Sequence, residues 1–116
     1  MSVSRKPWTV VISGQPWTIR RAPQEIVKIA AGSGDALYGV TDYQNRCILI
    51  DERLSGWSWE DTVVHELLHA VHLSAGIGGR EEDWKAATEE EERYVRIATP
   101  GVLSLLRDMP KDWRRR

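Results

Sequence analysis

His65, Glu66, Leu67, Leu68 and His69 are the residues of this chain best spaced for chemistry. On a helix, positions i and i+4 lie one above the other, so the two imidazoles can reach a single ion. Zinc accepts such nitrogens at about 2.0–2.1 Å. Glu66 is rotated by about 100° from His65, off the ligand row, where it can flank a water held in an open coordination position. The chemistry this predicts is hydrolysis. Zinc acidifies its water and polarises a carbonyl, and Glu66 acts as the general base.

Such a site needs a third protein ligand, with the fourth position left for water. A metzincin would carry a histidine six positions after His69; Ala75 stands there instead. The run Glu89 to Glu92 offers carboxylates, and helical phase separates them. Glu91 shares steps of three and four with Tyr94, Val95, Ala98, Val102 and Leu105, the apolar stripe of that segment. It is therefore the expected third ligand. Glu92, beside Arg96 and Thr99, is the reserve. Thr88 and Glu91 also fit a capping box, which would make Glu91 a helix-start residue. His72 shares the face of His65 and His69, but it lies about 10.5 Å from His65 along the axis. It is expected behind the ligands or at the cleft, not on the ion. His72 and Tyr94, each one turn beyond a ligand, are the candidate donors for a developing oxyanion.

These residues must be positioned by a small set of elements. Residues 8–12 and 17–20 read as two strands of a hairpin around Ser13, Gly14, Gln15 and Pro16. Gln24 to Ala31 holds about two helical turns. Leu37 to Thr41 and Arg46 to Asp51 form a second strand pair, joined by the turn chemistry of Asp42 to Asn45. The motif helix should open at Ser58, with Asp61 completing a capping box, and run to about Ala75 before Gly76. Its apolar residues lie on nearly every side, the mark of a buried helix. Residues 78–87 read as a loop or irregular helix. A last helical region, Thr88 to Asp108, is expected to break at Pro100, with Thr99 capping a fresh helix. Strands first and helices later predict an α+β fold: a small, mainly antiparallel sheet packed on the motif helix and a second, C-terminal helix.

The chain has 116 residues, enough for one domain spanning 1–116 and too few for two. Lysines and arginines number 16 against 17 acidic residues, so no global charge pulls it toward nucleic acid or membrane. Nucleic acid is not an expected partner, although the tail Lys111 to Arg116 is basic. The single cysteine, Cys47, excludes an intrachain disulfide and reads as a small buried hydrophobe. No apolar run reaches the roughly 20 residues of a membrane span, and Met1 to Val10 lacks a signal-peptide core. A cytoplasmic protein is expected. Six tryptophans and no phenylalanine suggest a competing function: a binding module without catalysis, using the Trp-rich hairpin and Trp57 to Trp59.

The stretch from Tyr38 to Asp51, the motif His65 to His69, and Glu91 to Leu106 together resemble the small ImmA/IrrE-like metallopeptidases and their phage-encoded relatives. The resemblance covers about 70 residues and rests on HExxH. It implies a minimal zincin of the gluzincin type, with HExxH on one helix, a glutamate ligand on the next, and a protein or peptide as substrate. In that family the glutamate stands six residues before a hydrophobic–alanine pair, which here matches Glu91 before Ile97 and Ala98. Pro100 departs from the pattern, because the second helix is usually continuous. The sequence also shows no repressor-like DNA-binding domain and little room for a regulatory one, so the family's cleavage of transcriptional repressors is not safely carried over.

Overall fold

A computed structural model describes residues 6–32, 38–74, 89–110 and 112. The chain begins with a hairpin, β1 (Trp8–Ile12) and β2 (Gln15–Ala22). Its turn is tighter than expected. Ser13 and Gly14 both take positive φ, 50° and 80°, the two-residue turn whose twist matches paired strands. Gln15 and Pro16 consequently enter β2. Pro16 pairs with Val11 of β1, and β4 joins β2 only from Thr18 onward. The missing N–H of Pro16 is therefore not needed on that side.

Helix α1 (Gln24–Ala31) follows, and Gly32 ends it in the left-handed region, φ 65°. The second strand pair is β3 (Gly39–Asp42) and β4 (Cys47–Asp51); Leu37, expected in β3, lies outside the described residues. The Asp42 carboxylate accepts the backbone N–H groups of Gln44 and Asn45, each at 3.1 Å, and so fixes the turn between them.

The sheet order is β1-β2-β4-β3. The two outer pairings are antiparallel and the central one, β2 with β4, is parallel. Among the described residues the architecture is thus α+β with a mixed sheet and three helices. The parallel step follows from α1 and β3, which carry the chain back before β4 runs beside β2. Strand β3 is left at an edge of the sheet.

Helix α2 (Gly56–Ser74) carries the HExxH motif and packs on β3, β4 and α3. It starts two residues before the expected Ser58. Ser58 therefore sits in the first turn, where its hydroxyl donates to the Ser55 carbonyl at 3.0 Å instead of opening a capping box with Asp61. Trp17, Ile19, Tyr43, Ile48, Ile50, Val63 and Ala70 form the core between sheet and helix.

Helix α3 (Glu89–Asp108) runs through Pro100 without a break. Thr99 does not cap a new helix; its hydroxyl donates to the Val95 carbonyl at 2.7 Å, inside the same helix. Packing against α2 holds the segment helical, although Pro100 brings no N–H to the preceding turn. The expected loop or irregular helix 78–87, the helix end at Ala75–Gly76 and the Thr88 cap lie outside the described residues. Among the described residues no helix is long and apolar enough to cross a membrane.

Candidate metal centre

Residues 39, 41 and 43 alternate along β3 and its turn, and each meets the site. A Cβ on Gly39 would stand 2.8 Å from Thr62 Cγ2 and 3.2 Å from Glu66 Cγ, so only glycine lets α2 approach this strand so closely. The Thr41 hydroxyl lies 2.7 Å from Glu66 Oε1 and 3.0 Å from the Glu66 carbonyl. The Tyr43 hydroxyl donates to Glu91 Oε2 at 2.7 Å. Tyr43 also belongs to the core, so the site is braced directly by the packed interior.

His65 and His69 face the same way from α2, with ring centroids 5.1 Å apart. Glu92 reaches both from α3. Its Oε1 is 3.0 Å from His69 Nε2 and its Oε2 is 3.9 Å from His65 Nε2. Donor atoms of His65, His69 and Glu92 all lie within 4.8 Å of one another, and the group could hold a metal ion. The donor set fits. Four ligands at about 2.0–2.2 Å around a tetrahedral ion stand about 3.3–3.5 Å apart, and the contacts of 3.0 Å from Oε1 to His69 and 3.9 Å from Oε2 to His65 lie within about half an ångström of that spacing.

Glu91 is placed differently from the ligand expected on phase. Its carboxylate, 1% exposed, turns to the other nitrogen of His69. His69 Nδ1 donates to Glu91 Oε2 at 2.6 Å. A carboxylate only accepts, so Nδ1 carries the proton and Nε2 is the nitrogen turned toward Glu92. Apolar phase predicts which side of α3 is buried, and Glu91 is buried there, whereas the group that could hold a metal ion contains Glu92. On α3 the buried row is Glu91, Val95, Thr99 and Leu103, a run of i+4 steps. The centre of that row lies in the helix–helix contact, behind the imidazole. The neighbouring position, rotated toward the open cleft, is Glu92.

His72 is also behind the site. Its Nδ1 is 3.4 Å from Glu91 Oε1, and its ring lies 5.6 Å from that of Tyr94. A negative charge buried as deeply as Glu91 needs such company, because desolvation alone would disfavour it strongly.

The electrostatics suit a metal and a proton acceptor. Burial, followed by the neighbouring His69, pushes the His65 pKa down and favours the neutral ring that a metal requires. Burial pushes the Glu66 carboxyl up, against the lowering effect of the Thr41 hydrogen bond.

A cleft of about 540 Å³ opens over the group. Its walls include β3 from Gly39 to Asp42, the end of α1 at Ala30 and Ala31, and His65, Glu66, His69, Glu92 and Arg96. His72 and Tyr94, the expected oxyanion donors, are not part of this lining. The tryptophans do not form one surface. Trp17 is buried in the core. Trp59 stacks between Trp8, at 5.9 Å, and the Arg21 guanidinium, at 3.6 Å. Trp57 is exposed. Cys47 is partly buried, and burial raises its thiol pKa.

Comparison with protein-family profiles, with curated proteins and with solved structures finds no match for this chain. Thr41, Tyr43 and Arg96 were missed by sequence reasoning about the site. The signal that could have found the first two is the alternation from Gly39, a small residue followed by two hydroxyls on one face of a strand.

Proposed function

We propose that this chain is a zinc-dependent peptidase of the minimal zincin type, with His65, His69 and Glu92 as metal ligands and Glu66 as general base. The observation that carries the reading is the placement of Glu66. Its carboxyl lines the same cleft as the metal-binding group and is held there by Thr41. A purely structural metal site has no use for such an acid, and is usually closed by four protein ligands. Zinc bound there would supply a water of lowered pKa and a Lewis acid for the carbonyl.

The chain's own residues do the rest. Glu66 takes the water's proton and delivers it to the departing amine; a carboxyl raised by burial is suited to both directions of that transfer. Glu91 keeps His69 in one tautomer and one orientation. Strand β3 lies at the sheet edge and along the cleft wall, the place where an extended peptide would add as a further strand. The resemblance to ImmA/IrrE-like metallopeptidases supports the same reading through HExxH and a glutamate on the following helix. The third ligand then falls one residue later than in the match drawn from Glu91.

The test is Glu66→Gln in the zinc-loaded protein. Zinc content should stay near that of the parent, while hydrolysis of a mixed peptide library falls by about 10²–10⁴-fold, the span of general acid–base catalysis. Undiminished hydrolysis in the variant would remove Glu66 from the reaction.

A further inference from the structure

Among the described residues lining the cleft, Arg96 carries the only permanent positive charge. The three carboxylates of the lining are otherwise engaged. Asp42 is taken up by its own turn, including Asn45 Nδ2 at 2.8 Å. Glu66 is paired with Thr41, and Glu92 reaches the two histidines. Arg96 meets Glu92 one turn away through a single contact, Nε to Oε2 at 3.9 Å, and its side chain is 75% exposed. That contact is too long for a hydrogen bond. A metal ion on Glu92 would also draw that carboxylate's charge away from the guanidinium.

The oxygen that Arg96 approaches is the one that faces His65, not His69. The guanidinium therefore stands at the rim of the cleft on the His65 side, one side chain away from the metal group. An extended peptide advances about 3.3–3.6 Å per residue, so a carboxylate carried by the residue next to the scissile bond falls within reach of this fork. Arginine presents five N–H donors in a plane that matches a carboxylate with two parallel bonds.

We infer that Arg96 is a specificity residue that binds a substrate carboxylate, so that the cleft selects peptides with an acidic group next to the scissile bond. The carboxylate is an Asp or Glu side chain or a free C-terminus; the same recognition serves either. The inference rests on the peptidase reading for the substrate being a peptide, and on the cleft geometry alone for the carboxylate.

The experiment uses the full chain loaded with zinc and matched peptides: Glu against Gln and against Lys beside the cleaved bond, and C-terminal acid against amide. Parent, Arg96→Ala and Arg96→Glu are compared by kcat/KM. Binding of the same pairs to zinc-loaded Glu66→Gln is followed by fluorescence anisotropy, with and without Arg96→Ala. The acidic member should be preferred by about tenfold, as expected for one charge-assisted pair at a partly solvated site. Arg96→Ala should bring the ratio close to one, and Arg96→Glu should turn it toward a Lys peptide, with zinc content unchanged in both. Preference in the Glu/Gln pair, or only in the acid/amide pair, identifies which carboxylate is read. No preference in the parent, or a preference that survives Arg96→Ala, overturns the inference. If no peptide is cleaved but the binding preference is present and is lost with Arg96, the carboxylate site stands and the peptidase reading falls. If cleavage occurs without preference, the reverse holds.

Discussion

Glu91 and Glu92 are adjacent in sequence and chemically identical, yet Glu92 belongs to the group that could hold a metal ion and Glu91 lies behind His69, and two substitutions test the different roles proposed for them. In Glu92→Ala the group loses the oxygens that lie 3.0 and 3.9 Å from the histidine nitrogens. Two imidazoles remain. Zinc affinity should fall by well over the roughly 10–100-fold that loss of an orienting partner costs. The metal-free fold should hardly notice, because the Glu92 side chain is 38% exposed and surface changes usually stay within about 0.5 kcal/mol. Glu91→Ala should behave in the opposite sense. It removes the acceptor that His69 Nδ1 and the Tyr43 hydroxyl share, Glu91 Oε2 at 2.6 and 2.7 Å. Each unsatisfied buried group costs about 1–3 kcal/mol. The metal-free protein should lose up to about 6 kcal/mol for the two groups, and its Tm should fall on the order of 10 °C. Zinc should still bind, weakened by about 10–100-fold through the freed imidazole.

Zinc competition with a chromogenic chelator gives the affinities, and thermal melting with and without metal gives the stabilities. Melting adds a second check, since zinc stabilises only the fold that binds it. If Glu91→Ala abolished zinc binding while its metal-free Tm held, and Glu92→Ala retained zinc, the assignment of the two carboxylates would be reversed.

Gly39→Ala places a methyl group 2.8 Å from Thr62 Cγ2 and should destabilise the fold by about 1–3 kcal/mol, as over-packing does; urea unfolding measures it, and an unchanged midpoint would mean that α2 shifts freely on β3. Thr41→Val preserves the branched shape but leaves Glu66 Oε1 without its hydroxyl partner. Hydrolysis should drop by about tenfold or more, from the value of a hydrogen bond to a charged group, with zinc content intact; equal kcat/KM would show that Glu66 needs no positioning from β3. Asp51 accepts the backbone N–H of Arg53 at 2.9 Å and its guanidinium at 2.7 and 3.1 Å, and these bonds, the side-chain ones foremost, hold its pKa below the ordinary value. A folded pKa depressed in this way contributes stability above the unfolded value, about 3.9, that is lost as pH falls through the folded one. The stability gap between parent and Asp51→Asn should therefore be constant from neutrality to about pH 5 and shrink below about pH 4; a gap that persists at pH 2 would assign it to packing.

The sheet and helices were legible because local rules acted without opposition. β-branched runs separated by Ser13-Gly14 and by Asp42 to Asn45 place all four strands. The departures arise where tertiary packing outweighs a local signal. Pro100 and Thr99 together spell a helix break and a fresh cap, but Val95, Thr99 and Leu103 lie buried on one row. Breaking the helix there would expose that row, so the chain continues at the cost of a backbone hydrogen bond. Ser58 reads as a cap because its spacing to Asp61 is right, yet the helix already begins at Gly56. Nor does the alternation along β2 reveal that its neighbour on the far side, β4, is parallel, since sequence period fixes faces and not partners.

The site shows the same division between what a helix dictates and what a neighbour dictates. His65, Glu66 and His69 are related by rise and rotation along one helix, and their relative placement needs no knowledge of the rest. The third member of the group comes from another helix, where a rotation of about 100° between consecutive residues decides which carboxylate enters the cleft. Apolar phase identified the buried side of α3 at Glu91, and Glu91 is indeed buried. Burial and ligation, however, are competing demands on one residue. A ligand must face the open cleft, and the group that orients the ligand must lie behind it, shielded from water so that its hydrogen bond is strong. In a helix flanking an open metal site those two positions are necessarily neighbours, one on the centre of the buried row and one on its edge. On the proposed metal-site reading, Glu92 would take the ligand's position and Glu91 the orienting group's. In this chain the buried Glu91 and the cleft-facing Glu92 can accordingly be tested as an orienting carboxylate and a ligand together, not as one ligand and a spare.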